Sequence, residues 1–388
     1  MGTAFVADSR TDSWTVLEGV RRQAERYGDR VFCTFGDGET LTFAEFETET
    51  DAVASGLADI GVEAGDRVMA LARNSKAFLL ALIAVQKRGA IFVPLNTELK
   101  GAFLEHQVRL IEPRVVIVDA ALRPAFDSIA TADLAIETTV IVGDGAAPLP
   151  QTRAVAFDAL ARTPARAADV VAAKPSDICM IMFTSGTTGP AKGVVQPHRW
   201  MAQYTFNLRL ALTGDDVIYN DLPMYHVGGA IANVVRAAWV GCEVAVWNRF
   251  SPSAFWERIA RRGATRAILL DVMIPWLTKA PETPEDRHNT LNKVHMQPLP
   301  EHHAAVAKRF GFDFVTAGFG QTESGAPLAI VIEQTRQGEG TPPELYRGRS
   351  HAEIIALAQG AGTPVVSAEQ ASIKRLMGRP SPFFEVAV

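Results

Sequence analysis

Cysteine is scarce: the chain carries three, Cys33, Cys179 and Cys242, far apart and each inside an apolar, strand-like run. That spacing excludes a disulfide framework and the clustered ligands of a zinc site, and leaves ordinary core cysteines. The adjacent His302 and His303 have no cysteine nearby and no acidic or imidazole partner at helical spacing, so they read as a helix surface and not a metal site. Charge of either sign is nowhere concentrated. The 38 basic and 43 acidic residues are mixed along the chain, for a formal net charge of -5, which excludes a basic stripe of the kind that binds nucleic acid. Long apolar runs are missing too, because the most hydrophobic stretches are broken by Gln86, Lys87, Arg88 and Arg236; no transmembrane segment is expected. The opening MGTAFVADSR lacks the basic-then-apolar pattern of a signal peptide. Together these exclusions lead to the expectation of a soluble, cytoplasmic protein.

What is present is enough apolar material for a large core: 388 residues, 48% of them hydrophobic. Segments of helical period alternate with short β-branched runs. WTVLEGVRRQAERYG is followed by RVFCTF, TFAEFETETDAVASGLADIG by DRVMALA, and KAFLLALIAVQKRG by IFVPL. Strands separated by helix-length connections favour parallel pairing, which predicts an α/β fold of stacked, mainly parallel sheets flanked by helices, with a small β-rich subdomain toward the C-terminus. RVVIVDA, TTVIVGDG, DICMIMF, VIYNDL, EVAVW, AILL and FDFVTA are further strand candidates. The Pro/Ala-rich ARTPARAADVVAAK (161–174) reads as a connection between subdomains of about 1–170 and 171–388. QTRQGEGTPPELYRGRS (334–350) reads as an exposed excursion before the helical run HAEIIALAQG.

One loop carries most of the chemistry. Directly after DICMIMF comes TSGTTGPAKG (184–193), in which glycines and hydroxyl residues accompany a single lysine. Glycines let the backbone approach a phosphate, hydroxyls donate hydrogen bonds, and a lysine adds a mobile positive charge. The spacing does not satisfy the P-loop pattern, since Lys192 does not follow a glycine and precede Ser or Thr. By composition alone, the same segment also fits an ordinary strand-exit loop.

The run TSGTTG-x-x-KG after an apolar strand resembles the signature of the acyl-adenylate-forming superfamily of acyl-CoA synthetases, luciferases and peptide-synthetase adenylation domains. It departs from the usual pattern at Ala191, with Pro190 one position early. AGFGQTESG (317–325) resembles the family's aromatic-Gly-x-Thr-Glu motif, in the family's order and separation. The resemblance implies ATP binding by Thr184, Ser185, Gly186, Thr187, Thr188, Gly189 and Lys192, and by Gly318, Phe319, Gly320, Gln321 and Thr322. Phe319 would stack on adenine, Thr322 would bind the α-phosphate, and Glu323 with the Thr184 hydroxyl would hold Mg2+. His226, Thr322, Glu323 and Lys192 would be the catalytic set.

Between the two motifs, DLPMYHVGGA resembles the family segment that separates the acyl pocket from the nucleotide; a histidine after an aromatic there favours a simple carboxylic acid over an amino acid. The acyl pocket is expected at Tyr225, His226, Gly228, Asp271, Met273, Ala317 and Gly318, with a compact acyl group, and Asp271 raises the option of a cationic acid. VHMQPLP places Gln297 where the family carries small residues beneath adenine. GDRVMALARNS, RGAIFVPLNTEL and MGRPSPFFEVAV are similar to further family segments, so that residues 1–388 are expected to be the N-terminal AMP-binding (adenylation) domain. The small C-terminal domain with its catalytic lysine is expected to be absent, and turnover by the chain alone to be weak. The function implied is an ATP-dependent acid–CoA ligase using Mg2+, with carboxylic acid, ATP and CoA as partners and a homodimer allowed. A carrier-protein-loading adenylation domain, a luciferase-like oxygenase and a binding-only pseudo-enzyme remain as alternatives.

Overall fold

The short β-branched runs become strands, and the runs of helical period become the helices between them, in a computed structural model that describes residues 15–131, 133–184, 189–372 and 376–386. β1 (Val31–Phe35) and β2 (Thr40–Thr42) form a hairpin. β3 (Arg67–Leu71), β4 (Ile91–Pro94), β5 (Val115–Asp119), β6 (Thr138–Val142), β7 (Arg153–Ala156), β8 (Ile178–Phe183) and β9 (Gly193–Pro197) make a seven-stranded sheet in the order β7-β6-β5-β3-β4-β8-β9. Every pairing in it is parallel except that of β8 with β9. Strands such as VVIVD of β5 are apolar throughout because both faces of a parallel sheet are covered.

The remaining strands are β10 (Val217–Asn220), β11 (Glu243–Val246), β12 (Arg266–Leu270), β13 (Lys293–Gln297), β14 (Phe314–Gln321), β15 (Gly325–Glu333), β16 (Val365–Ser367) and β17 (Arg379–Pro380). They join the first hairpin in a ten-stranded sheet of order β16-β15-β14-β13-β12-β10-β11-β1-β2, with β17 beside β15. The β-rich stretch near the C-terminus is thus one edge of the larger sheet, where β15 pairs antiparallel with β14 and β17 and parallel with β16. Residue 170 lies within the span of the smaller sheet, whose β8 and β9 follow it, while β1 and β2 pair with the larger sheet through β11. The chain passes from the larger sheet to the smaller between β2 and β3 and returns between β9 and β10.

Helices begin where the sequence supplies caps. The Thr42 side chain and Glu45 make a reciprocal capping box at the start of α2 (Phe43–Asp59), which follows α1 (Val16–Tyr27), and Ser75 caps α3 (Lys76–Lys87). α4 (Gly101–Ile111), α5 (Phe157–Ala161) and α6 (His198–Arg209) follow. The largest core takes Phe32 and Val244 from one sheet, Val68 and Met180 from the other, and Phe46 and Leu79 from α2 and α3. Each such buried side chain contributes about 1.5–3 kcal/mol relative to exposure. Lys87 ends α3 buried between Glu47 and Asp51, at 2.9 and 2.6 Å, so its charge is paired. Within the stretch 334–350, Thr341 is buried and anchored on Asp313 and the Gly311 carbonyl, while much of the rest is exposed. No helix among the described residues is long and apolar enough to cross a membrane.

Candidate active site

The glycine- and hydroxyl-rich segment connects β8 to β9, the antiparallel edge pair of the smaller sheet. Its ends are pinned by Thr184 N–H donating to the Lys192 carbonyl at 3.0 Å and by Lys192 N–H donating to Thr184 Oγ1 at 3.4 Å. His106 of α4 braces the loop from outside, 3.1 Å from the Ala191 carbonyl. Thr184, Pro190 and Lys192 face a cavity of about 650 Å3, and Gly189 is exposed beside them. Ser185, Gly186, Thr187 and Thr188 lie outside the described residues.

The second motif lies on the same cavity. β14 and β15 form an antiparallel hairpin whose tight turn carries Thr322 and Glu323, and the register shifts between Phe319 and Gln321. Gly318 has a steric reason: a Cβ there would sit 2.1 Å from the Leu328 carbonyl oxygen across the hairpin. Gly318, Phe319, Gly320, Gln321, Thr322 and Glu323 all line the cavity, with the Glu323 carboxylate exposed to it. Gln196 of β9 joins the two motifs by donating to the Thr322 carbonyl at 3.2 Å from a fully buried position.

The third wall follows β10. His226 caps the helical run 227–240, its Nδ1 accepting from Gly228 N–H at 3.4 Å, which leaves the proton of the neutral ring on Nε2. Crowding by the cavity walls holds the imidazole below its ordinary pKa even though one side of the ring is open. Gly229 packs against the loop before it, since a Cβ would meet the Pro223 carbonyl at 2.4 Å. Asn74, which follows β3, holds the loop in place: it donates to the Leu222 and Trp247 carbonyls at 2.9 Å and accepts from Met224 N–H at 2.7 Å. Sequence reading placed Asn74 only in a structural segment, because a three-fold anchor between distant loops leaves no local pattern.

Of the residues expected at an acyl pocket, Tyr225, His226, Gly228, Ala317 and Gly318 border the cavity. Asp271 and Met273 do not. On β12, Ile268 and Leu270 face the cavity, whereas Asp271, in the turn after the strand, is exposed and is not part of the lining. Met273 is buried behind the lining, packed with Leu222, Ala232 and Ile268. In their place the sheet contributes His295, Gln297 and Thr316, while α6 contributes Tyr204 and Asn207. Burial, with Arg266 and Arg236 close by, pushes the His295 imidazole down to about 3, so it is neutral. Tyr204, stacked on Trp200 at 4.8 Å, is pushed up to about 12 by burial and stays protonated.

An exposed carboxylate and a nearby hydroxyl suit Mg2+ that arrives with a polyphosphate, because that ion keeps several waters and takes most of its other ligands from phosphate oxygens. Glu323 and Thr184 both line the cavity and could offer such oxygens; among the described residues no cluster of three or more His, Cys, Asp or Glu could hold a metal by itself.

Fold and cavity together define an α/β protein in which a glycine-rich strand connection and an acidic turn border one partly apolar pocket. Residues 20–354 match the family model described as AMP-binding enzyme, and the chain belongs to that family. It is 31% identical over 327 residues, 83% of this chain, to the medium/long-chain-fatty-acid–CoA ligase FadD6 of Mycobacterium tuberculosis. It is 27% identical over 326 residues, 80% of this chain, to the crotonobetaine/carnitine–CoA ligase of Salmonella choleraesuis. The chain spans 53% and 60% of the length of these two relatives. The N-terminal domain of FACL13 from Mycobacterium tuberculosis shares the fold, with a TM-score of 0.70 at 23% identity, covering 82% of this chain and 79% of that one.

Proposed function

We propose that this chain binds ATP and a carboxylic acid in the 650 Å3 cavity and activates the acid as its acyl-adenylate, which coenzyme A then converts to a thioester. The observation that carries this reading is the convergence of Lys192 and Thr184 from one hairpin, Thr322 and Glu323 from another and His226 from a third element on one cavity. A carboxylate oxygen attacking the α-phosphorus must approach an anionic centre, and pyrophosphate leaves as the new P–O bond forms. Catalysis therefore consists largely of placing positive charge and hydrogen-bond donors around the transferring group. Lys192 offers the mobile cation and Thr322 a hydroxyl for the α-phosphate. Glu323 and Thr184 would hold Mg2+, which when bound neutralises phosphate charge. Phe319 offers a ring to adenine. His226, with a proton on Nε2, can hydrogen-bond the acid carboxylate, and its reversible bonding near neutral pH suits a group that later gives way to the thiol. In the second half-reaction the thiolate attacks the acyl carbon and AMP departs. The relatives' names, a fatty-acid ligase and a carnitine-type ligase, support a CoA acceptor. ATP and CoA as substrates fit a cytoplasmic site.

The test is pyrophosphate release from MgATP over a panel of carboxylic acids, with and without CoA. Acid-dependent release that becomes catalytic with CoA supports the ligase reading. Release indifferent to CoA moves the acceptor to a carrier protein, and no nucleotide-dependent signal with any acid removes the reading.

A further inference from the structure

We infer that the acid taken by this cavity is short and carries a second carboxylate at its far end, seated on the Thr316–His295 step in front of Arg266 and Arg236. The inference rests on the acid-activation reading above and names its substrate class.

Part of the cavity wall is polar where a fatty-acyl pocket needs hydrocarbon, beside apolar Leu208, Ile268, Leu270 and Val331. His295 and Thr316 are register partners on β13 and β14 and both line the cavity, with Asn207 and Thr363 across from them and hydrogen-bonded to each other at 2.9 Å. Behind this step the core holds an excess of positive charge. Arg266 is fully buried and donates to Thr316 Oγ1 at 2.8 Å, yet its Nε and Nη1 have no hydrogen-bond partner. Arg236, also fully buried, donates to Asn233 Oδ1 at 2.9 Å and likewise has Nε and Nη1 unpartnered. The carboxylate acting on both guanidiniums is Asp216, and it is already engaged by Lys293 at 2.8 Å and by the Thr265 hydroxyl at 2.7 Å. Unpartnered guanidinium hydrogens in a low-dielectric interior are costly, and an anion lodged in front of them recovers part of that cost.

The chain of bonds has a direction. Arg266 can only donate, so Thr316 Oγ1 accepts from it, while the Thr316 hydroxyl has His295 Nδ1 at 3.1 Å and the Val294 carbonyl at 3.5 Å as further partners. The neutral His295 has one ring N–H to donate, with the Gln297 side chain beside it on the same wall. An apolar tail would strip water from this step without replacing its hydrogen bonds, the situation in which binding sites discriminate most strongly. A cationic tail finds no counter-charge, since the one carboxylate on the described wall is Glu323, on the turn that the nucleotide reading uses, and Asp271 is off the wall. The volume agrees: about 650 Å3 must hold both nucleotide and acyl group.

Three 5′-O-acylsulfamoyl adenosines of nearly equal shape separate the cases when titrated calorimetrically into the chain: glutaryl, 5-methylhexanoyl and 4-(trimethylammonio)butanoyl. The expected result is that the glutaryl compound binds at least about ten-fold more tightly than either of the others. Thr316→Val, which keeps the side chain's shape if Arg266 variants fail to fold, should shrink that preference to about two-fold or less, mostly by weakening the glutaryl compound. Equal or tighter binding of the 5-methylhexanoyl or trimethylammonio compound overturns the inference while leaving nucleotide-dependent acid activation standing. Binding of none of the three overturns both.

Discussion

The Gln196 side-chain amide donates to the Thr322 carbonyl at 3.2 Å across 126 positions of sequence, and so locks the phosphate-type hairpin to the Thr-Glu turn. Replacing Gln196 with Leu leaves that buried carbonyl unpaired, a cost of roughly 1–3 kcal/mol. The expected outcome is a lower Tm together with about ten-fold weaker ATP binding, read by thermal unfolding and calorimetry on the same preparation. Unchanged values of both would show that the two motifs are positioned independently.

Gly318→Ala places a methyl 2.1 Å from the Leu328 carbonyl oxygen, a contact that only backbone movement can relieve. The hairpin should distort, with a loss on the order of 2–4 kcal/mol and ATP binding abolished. Gly360→Ala is the matching control, since Gly360 lies in the helix His351–Gly360 with nothing within 4 Å of an added Cβ. It should be neutral or stabilise by up to about 1 kcal/mol. Urea unfolding of both variants tests the contrast.

His351 is held 3.1 Å from Asp313 and 3.0 Å from Glu333. Burial pulls its imidazole down, but the two carboxylates outweigh burial and raise its pKa above the ordinary 6.5. A raised folded-state pKa contributes stability that is complete below the unfolded value and is lost as pH rises through the folded value. His351→Gln should therefore lower Tm more at about pH 5.5 than at about pH 9; an equal loss at both would mean that the ring acts only by packing.

Asp271→Ala should leave the affinities for cationic and neutral acyl-adenylate analogues unchanged within about two-fold, because the carboxylate is exposed away from the cavity wall. A selective loss for the cationic analogue would bring Asp271 back to the acyl site.

Strand and helix alternation was readable because buried parallel strands are continuous apolar runs and their crossovers are helix-length. The two motif loops were readable because glycine, hydroxyl, lysine and carboxylate residues crowd into contiguous stretches with a chemical purpose. What stayed hidden depends on register. Ile268 and Leu270 on β12 face the cavity, while Asp271, one residue past the end of the strand, does not. Likewise His295 and Thr316 come together only through the β13–β14 pairing, and Asn74 reaches Leu222 and Trp247 only through the fold. No local pattern in the chain announces these contacts.

The central claim is that Lys192 and Glu323 face one nucleotide from opposite hairpins. Calorimetric titration of ATP into the chain and its Lys192→Ala and Glu323→Gln variants, with and without Mg2+, tests it most directly. The account predicts ATP binding that Mg2+ strengthens, about ten-fold weaker binding for Lys192→Ala in both conditions, and loss of the Mg2+ increment alone for Glu323→Gln. ATP binding that is absent, or identical in all three proteins, would contradict it.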